Sequence, residues 1–406
     1  MQQLLSRRFA LFALLFLFSS QIFVTQLSAQ SRPQRPPASG NDKKNKRPDP
    51  TTKQEEISPE DKAAVKDEEV LEIKTNLVNV DATVYQKKSG QIVTGLTKDN
   101  FAIFEDGVKR EITNFSTPEA PITVTLVVEY SKLSSYLGRA VGGGFDPGKF
   151  EVVRPAALFL QNFLKPPDDF ASVIAFDIRP TPITDFTNDP RRISQVVSLL
   201  VQNNPAFSDN NLFDAVKFAL VGGKADSVVL ENSKERTAMY SGMADVKAKR
   251  RAIILITSGI DTMSRVNYDQ VRKVIQQTGV PIYIIGTGNY FFKQYEPYLP
   301  ATDSISGAPG RLTFLQADNT LKTFAKESGG AYYPVTFEGE VPNALKGINA
   351  LLRNQYSLAF EPDESRANDG KKHKLEVKVD VDKDGTYDDK VYVVQHRPFY
   401  IPNAKK

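Results

Sequence analysis

A carboxylate and three hydroxyls stand at the end of an uncharged, β-branched run. Glu129, Ser131, Ser134 and Ser135 follow Ile122 to Val128, ITVTLVV, whose only polar side chains are Thr123 and Thr125. Such a run predicts a strand buried on both faces, as in a parallel sheet. Ligands of open α/β sheets bind beyond the carboxyl ends of such strands. Acidic and hydroxyl groups in that place are either a site or the remains of one, or they simply cap the strand end and nearby helix N-termini.

Two further stretches carry metal or phosphate chemistry in outline. Asp380, Asp382 and Asp384 alternate, Gly385 takes the sixth position and Asp388 the ninth, like the first half of a calcium loop. The twelfth position is Val391, where a bidentate Glu is needed, and a β-hairpin around Asp384-Gly385 accounts for the same residues. Gly143 to Phe150 nearly spells a phosphate loop, but Phe150 takes the place of its Ser or Thr. No cysteine is present, which removes disulfides, thiolate metal sites and a cysteine nucleophile. The two histidines, His373 and His396, fall in the C-terminal part, far from any nucleophile-like Ser in an elbow motif. Nothing selects a carboxylate pair for glycoside hydrolysis.

The elements that must position these groups follow from periodicity. Val78, Val80, Ala82 and Val84 alternate with polar neighbours, strands are expected near Ile92–Gly95 and Phe101–Phe104, and Asp106-Gly107 marks a tight turn. From Pro121 to about Pro334 strand and helix alternate. Helices are expected over Phe150–Leu164, Pro190–Val201, Asn211–Val221, Tyr268–Gln277 and Leu312–Glu327. Strands are expected over Phe170–Phe176, Ile183–Phe186, Ala252–Thr257, Val280–Gly286 and Ala331–Val335. Lys224–Lys249 and Asn289–Gly310 lack clear periodicity and read as surface loops. A helix over Val341–Arg353 and strands over Tyr356–Phe360, Lys374–Val379 and Lys390–Val394 complete the chain. The fold class expected is α/β, a doubly wound and mostly parallel sheet, Rossmann-like in plan, with flanking β-sandwich-like segments.

Residues 1–29 read as a secretory signal peptide: Arg7 and Arg8 precede the apolar run Phe9–Phe18, and Ala29 suits cleavage. An uncleaved N-terminal anchor is the alternative, disfavoured because Ser19, Ser20 and Gln21 interrupt a short apolar core. Residues 30–68, rich in Pro and charge, read as a disordered linker. Then come an N-terminal β segment over 69–118, the α/β domain over 119–338, and a helix with a β segment over 339–402. The two β segments are expected to pair, since chain ends often lie close together. A net charge of +4 with 25% charged residues points away from a nucleic-acid surface.

The α/β part resembles a von Willebrand factor type A domain. The likeness rests on EYSKLS after the strand, SDNNLFDAVKFAL, AIILITSGIDT, VPIYIIGTG and LKTFAKESGGAYYPV. With VNVDATVYQKKSGQIVTGLTKDNFAIFEDGVKREITNF before it and RNQYSLAFEP and HRPFY after it, the chain is similar to VWFA-related proteins abundant in Acidobacteria. The resemblance implies an exported, non-enzymatic, protein-binding module. It also implies a metal-ion-dependent adhesion site, with Asp-x-Ser-x-Ser in one loop, Thr in a second and Asp in a third. Matched onto this chain, those positions are Glu129, Ser131 and Leu133 (with Ser134 displaced by one), then Asn210, then Ser258. One carboxylate is altered and the other gone, so the site is expected to be degenerate, with Asp209 or Asp261 as the acids left to compensate.

The expected ligand-binding set is therefore Glu129, Ser131, Ser134, Asn210, Ser258 and Asp261, with weak Mg²⁺ binding at most. Weak Ca²⁺ binding is the expectation for Asp380, Asp382, Asp384 and Asp388. The expected function is a periplasmic or secreted adhesion-type module binding an unidentified protein, with no nucleic acid and no membrane span after signal cleavage. The alternative is a structural cell-envelope assembly protein whose strand-end site is vestigial.

Overall fold

The computed structural model describes residues 77–131, 152–203, 205–226, 237–305, 309–337 and 339–402. The chain divides into the units Met1–Leu71 and Glu72–Lys406, and every described residue belongs to the second. The signal peptide, the linker, Ser134 and the phosphate-loop-like stretch lie outside the described residues.

Alternation builds the first strands. In β1 (Val78–Gln86) Val78, Val80, Ala82 and Val84 are buried. β2 (Phe101–Glu105) and β3 (Val108–Arg110) are joined by Asp106-Gly107, whose positive φ angles of 49° and 84° suit a two-residue hairpin turn. β4 (Ile112–Ser116) follows. β5 (Ile122–Glu129) is buried at every position, as an uncharged strand between two neighbours must be.

Then come α1 (Arg154–Phe163), β6 (Phe170–Phe176), β7 (Pro180–Thr187) and α2 (Pro190–Gln202). The Asp189 side chain caps α2 by accepting from the Arg191 N–H, and Pro190 occupies the first turn. α3 (Leu212–Val221), β8 (Gly223–Asp226), β9 (Thr237–Tyr240) and β10 (Arg250–Thr257) succeed it. α4 (Tyr268–Thr278), opened by an Asn267/Gln270 capping box, leads to β11 (Ile282–Gly286). The chain continues through α5 (Gly288–Tyr295), α6 (Arg311–Ser328), β12 (Tyr332–Pro334), α7 (Glu340–Arg353), β13 (Tyr356–Phe360), β14 (His373–Val379), β15 (Tyr392–Gln395) and β16 (Phe399–Tyr400).

Six strands form one sheet in the order β12-β11-β10-β5-β6-β7. Every pairing in it is parallel except β6 with β7 at one edge. Val124, Leu126 and Val128 face one core with α1, α2 and α7, while Val127 faces another with α3, α4 and α6. Two antiparallel sheets, β15-β1-β13-β4 and β16-β14-β2-β3, enclose a third core. Strands from before and after the parallel sheet share both: Val80 pairs with Leu358, and Ile103 with Val377. The class is mixed α/β, a mostly parallel sheet accompanied by antiparallel ones.

Three local expectations are corrected. Ile92–Gly95 is not a strand; it makes one isolated bridge, Tyr85 to Ile92. Lys224–Lys249 is not simply a loop, because β8 and β9 pair within it. Their ends are tied where Gly222 and Gly242 cross: a Cβ on Gly242 would sit 2.3 Å from the Gly222 nitrogen. Asn289–Gly310 contains α5, held by Phe291 and Phe292 against Phe314 and Ile260. Among the described residues no helix is long and apolar enough to cross a membrane.

Candidate functional site

Glu129 ends the central strand β5, and its register with β10 sets Val128 beside Ile256. The next residues of β10 and its following turn, Thr257 and Ser258, therefore face the Glu129 side chain. Asn210 arrives from the other side, just before α3. Its neighbour Asn211 is held there by two bonds to the β6–β7 turn, from its N–H to the Asp177 carbonyl and from Nδ2 to the Ile178 carbonyl. Two glycines let the strand ends close up. A Cβ on Gly288 would meet the Ser258 carbonyl at 2.3 Å, and one on Gly259, at φ 84°, would meet Leu321 at 2.9 Å.

The Glu129 carboxylate is buried and accepts five hydrogen bonds. Oε1 takes them from Ser131 Oγ at 3.0 Å and Asn210 Nδ2 at 3.2 Å. Oε2 takes them from Thr257 Oγ at 2.7 Å, the Ser258 N–H at 2.7 Å and Ser258 Oγ at 2.9 Å. Glu129, Ser131, Asn210 and Ser258 are each at most 4% exposed. The structure thus brings together four of the expected residues and adds Thr257, which ends the AIILIT strand. Its place beside Ser258 at a strand's carboxyl end was the sequence signal that could have found it.

Asp261 goes elsewhere. Its carboxylate accepts from the Phe213 N–H at 3.1 Å and from Ser264 Oγ, so it serves the N-terminus of α3. Burial pushes its carboxyl above the usual range, against the hydrogen bonds that hold it down. Among the described contacts none joins it to Glu129. Asp209 is exposed.

These residues do not fit a magnesium ion. Mg²⁺ requires near-octahedral oxygen ligands and favours carboxylates. The one carboxylate of the cluster is filled by protein donors. The hydroxyls pointing at it also accept backbone N–H bonds, Thr257 from Gly259 at 3.1 Å and Ser258 from Ile260 at 3.3 Å. Asn210 Oδ1 is the acceptor left over: it is buried and has no partner. The longer reach of Glu carries its carboxylate into the hydroxyls, where it supplies the negative centre that they cap.

The acidic loop is also closed on itself. Asp380, Asp382 and Asp384 place carboxylate oxygens within 4.8 Å of one another. Yet Asp380 accepts from the N–H groups of Asp384 at 3.2 Å and Gly385 at 2.9 Å, and Asp384 from that of Thr386 at 2.7 Å. Asp388 turns back to the Val381 N–H at 2.8 Å. Left-handed Lys383 and Gly385, at φ 62° and 90°, make the turn. Of the histidines, His373 bonds a carboxylate at each ring nitrogen, Asp106 at 2.8 Å and Asp369 at 3.1 Å.

No protein-family description and no curated protein matches this chain. Several solved structures are similar at low identity. A point mutant of the PilB minor pilin from Streptococcus sanguinis is 12% identical with a TM-score of 0.40, over 58% of this chain and 62% of that one. Proximal thread matrix protein 1 from the mussel byssus is 11% identical at 0.37, over 61% and 50%. The vWF domain of the type V pili tip protein Mfa5 from Porphyromonas gingivalis is 13% identical at 0.38, over 58% and 96%. The chain spans less than two thirds of the first two.

Proposed function

We propose that this chain is an exported, non-enzymatic protein-binding module of type A character, in which a buried carboxylate replaces the adhesion-site cation. The observation that carries the reading is the fivefold hydrogen bonding of Glu129 by Ser131, Asn210, Thr257 and Ser258. A partner's carboxylate would then find no ion to complete. Recognition falls instead to exposed side chains around the rim. Phe207 and Met263 are 45% and 56% exposed, and the Met263 N–H donates to the Asn210 carbonyl at 2.9 Å. These two side chains, near Asn210 in sequence or tied to it by backbone, are the contacts this reading assigns to a partner.

Calorimetric titration with Mg²⁺ and Ca²⁺ tests the ion-free reading, and it covers weak calcium at Asp380, Asp382 and Asp384 as well. Saturable magnesium heat that disappears in Glu129→Gln would overturn it. Partner capture then tests the rim. Capture is expected to persist in chelator and to fall in a Phe207→Ser, Met263→Ser variant. Unchanged capture by that variant would favour the vestigial site of a structural envelope protein.

A further inference from the structure

At the other end of β10 a cleft of about 490 Å³ opens between β1, β13 and β4 on one side and Lys249 and Arg251 on the other. Seven residues of strand separate it from the Glu129 cluster, about 23 Å at the usual rise, so it is a different place and stands independently of the function proposed above. Its size falls within the range of small-molecule sites.

The cleft holds more positive charge than it can use. Lys249 and Arg251 line it; buried Arg250 and Arg397, 1% and 5% exposed, stand behind it. Asp81 is the carboxylate among the lining residues, and Asp245 offsets Arg251 further off. The guanidinium groups are partly committed to backbone carbonyls. Arg251 donates to Met243 at 3.0 Å and Ala244 at 2.7 Å, Arg250 donates to Pro118, Ala120 and Leu352, and Arg397 donates to Asn79. Those carbonyls carry no net charge, so the cationic excess remains. Burial lowers the pKa of all three arginines, and Asp81 acts against the shift in each.

Ser357 bonds the Asp81 side chain, but one of its carboxylate oxygens is unmet. Asp81 Oδ1 is buried without a hydrogen-bond partner. An unmet buried acceptor destabilises the fold. A bound group that supplies an O–H there removes that penalty. The remaining lining offers neutral polar groups, Asn79, Asn114, Ser116 and Ser357, while the Phe115 ring turns away into the β core against Tyr356. Neutral amides and hydroxyls suit a ligand rich in hydroxyls.

We infer that this cleft binds a hydroxylated organic anion of the acid-sugar class. Its carboxylate lies toward Lys249 and Arg251, and one of its hydroxyls donates to Asp81.

The test is calorimetric titration of the chain with D-glucuronate, beside D-glucose and acetate. Glucuronate is expected to bind saturably, with glucose and acetate each at least about tenfold weaker. Lys249 is exposed, so Lys249→Glu folds normally and is expected to weaken glucuronate by about tenfold or more. Asp81→Ala, checked for folding by thermal melt, removes the acceptor and is expected to weaken it similarly. The inference is overturned if glucuronate gives no saturable heat, if acetate binds as tightly, or if Lys249→Glu changes nothing.

Discussion

The backbone N–H of Ser258 donates to the Glu129 carboxylate at 2.7 Å, across a separation of 129 residues. The bond joins the ends of the two central strands. It places a negative group where the type A resemblance leads one to expect a positive ion. The carboxylate is therefore a structural keystone of the rim as well as part of it, and its removal has consequences for stability before any for binding.

Glu129→Ala strips the partner from Ser131, Asn210, Thr257 and Ser258 at once and opens a small cavity. Losing a buried, multiply bonded carboxylate costs about 3–5 kcal/mol. Glu129→Gln keeps one acceptor but turns an NH₂ toward existing donors, and about 2–3 kcal/mol is expected. Urea unfolding at neutral pH measures both. A loss below that of an ordinary surface substitution would mean that the cluster does not hold the strand ends.

Ser258→Asp sets a second carboxylate against Glu129. Without a cation, like charges in a buried rim destabilise the fold. With Mg²⁺ the pair gains the acid ligands that the present cluster lacks. The melting temperature of the variant is expected to rise with magnesium while that of the parent chain stays constant. Equal responses in the two proteins would show that the loops do not hold adhesion-site geometry.

Tyr240 anchors the β8–β9 hairpin. Its hydroxyl bonds Thr125 at 3.1 Å and Ser172 at 2.9 Å, and its ring stacks between Phe186 and Phe218. Burial pushes its phenol up to about 12. Thr125 and Ser172 stay bonded to each other at 2.9 Å after the hydroxyl is lost. Tyr240→Phe is thus expected to cost only about 1 kcal/mol, against about 3–5 kcal/mol for Tyr240→Ala. Similar losses in thermal melts would mean that the hydroxyl, and not ring packing, holds the hairpin.

His373 gives the β module a pH dependence. Burial acts to lower its pKa, but Asp106 and Asp369 together outweigh it and hold the value above 6.5. The folded protein then keeps a proton that the unfolded chain releases. This stabilisation is complete below pH 6.5 and is lost as pH rises through the folded value. The partners act on the acid side. The His373 bond lowers Asp106, and the Lys371 N–H, then His373, lower Asp369. Their contributions are present above the usual value of 3.8 and fade as pH falls through the lowered values. Between pH 6 and 9 the urea midpoint of the parent chain should decline relative to that of His373→Gln, because His396, whose pKa burial lowers, adds the opposite slope to both proteins alike. A parallel decline in the variant would assign the slope to other groups.

Much of the framework is legible in local pattern. An uncharged run such as Ile122–Val128 can only be covered on both faces, and Asp189-Pro190 or Asn267 with Gln270 announce helix starts by their own hydrogen bonds. The misses have a common cause. The β8–β9 hairpin and α5 are short and weakly periodic, and contacts made elsewhere hold them: Tyr240 to Thr125 and Ser172, and Phe291 to Phe314. Ile92–Gly95 has the side chains of a strand but pairs at a single bridge.

Within the cluster the division is sharper. Residue types alone determine that a carboxylate and hydroxyls stand at strand ends, because β-branched apolar runs stop where they do. Which way those groups are spent was decided only in three dimensions. The register of β5 on β10 brings Thr257 and Ser258 to Glu129, and the turn after β6 brings Asn210 to it. Asp261, equally acidic and equally near in sequence, is drawn to the free N–H groups of α3 instead. Burial is written in neighbouring residues, whereas a hydrogen bond between distant ones depends on register and on how far each side chain reaches.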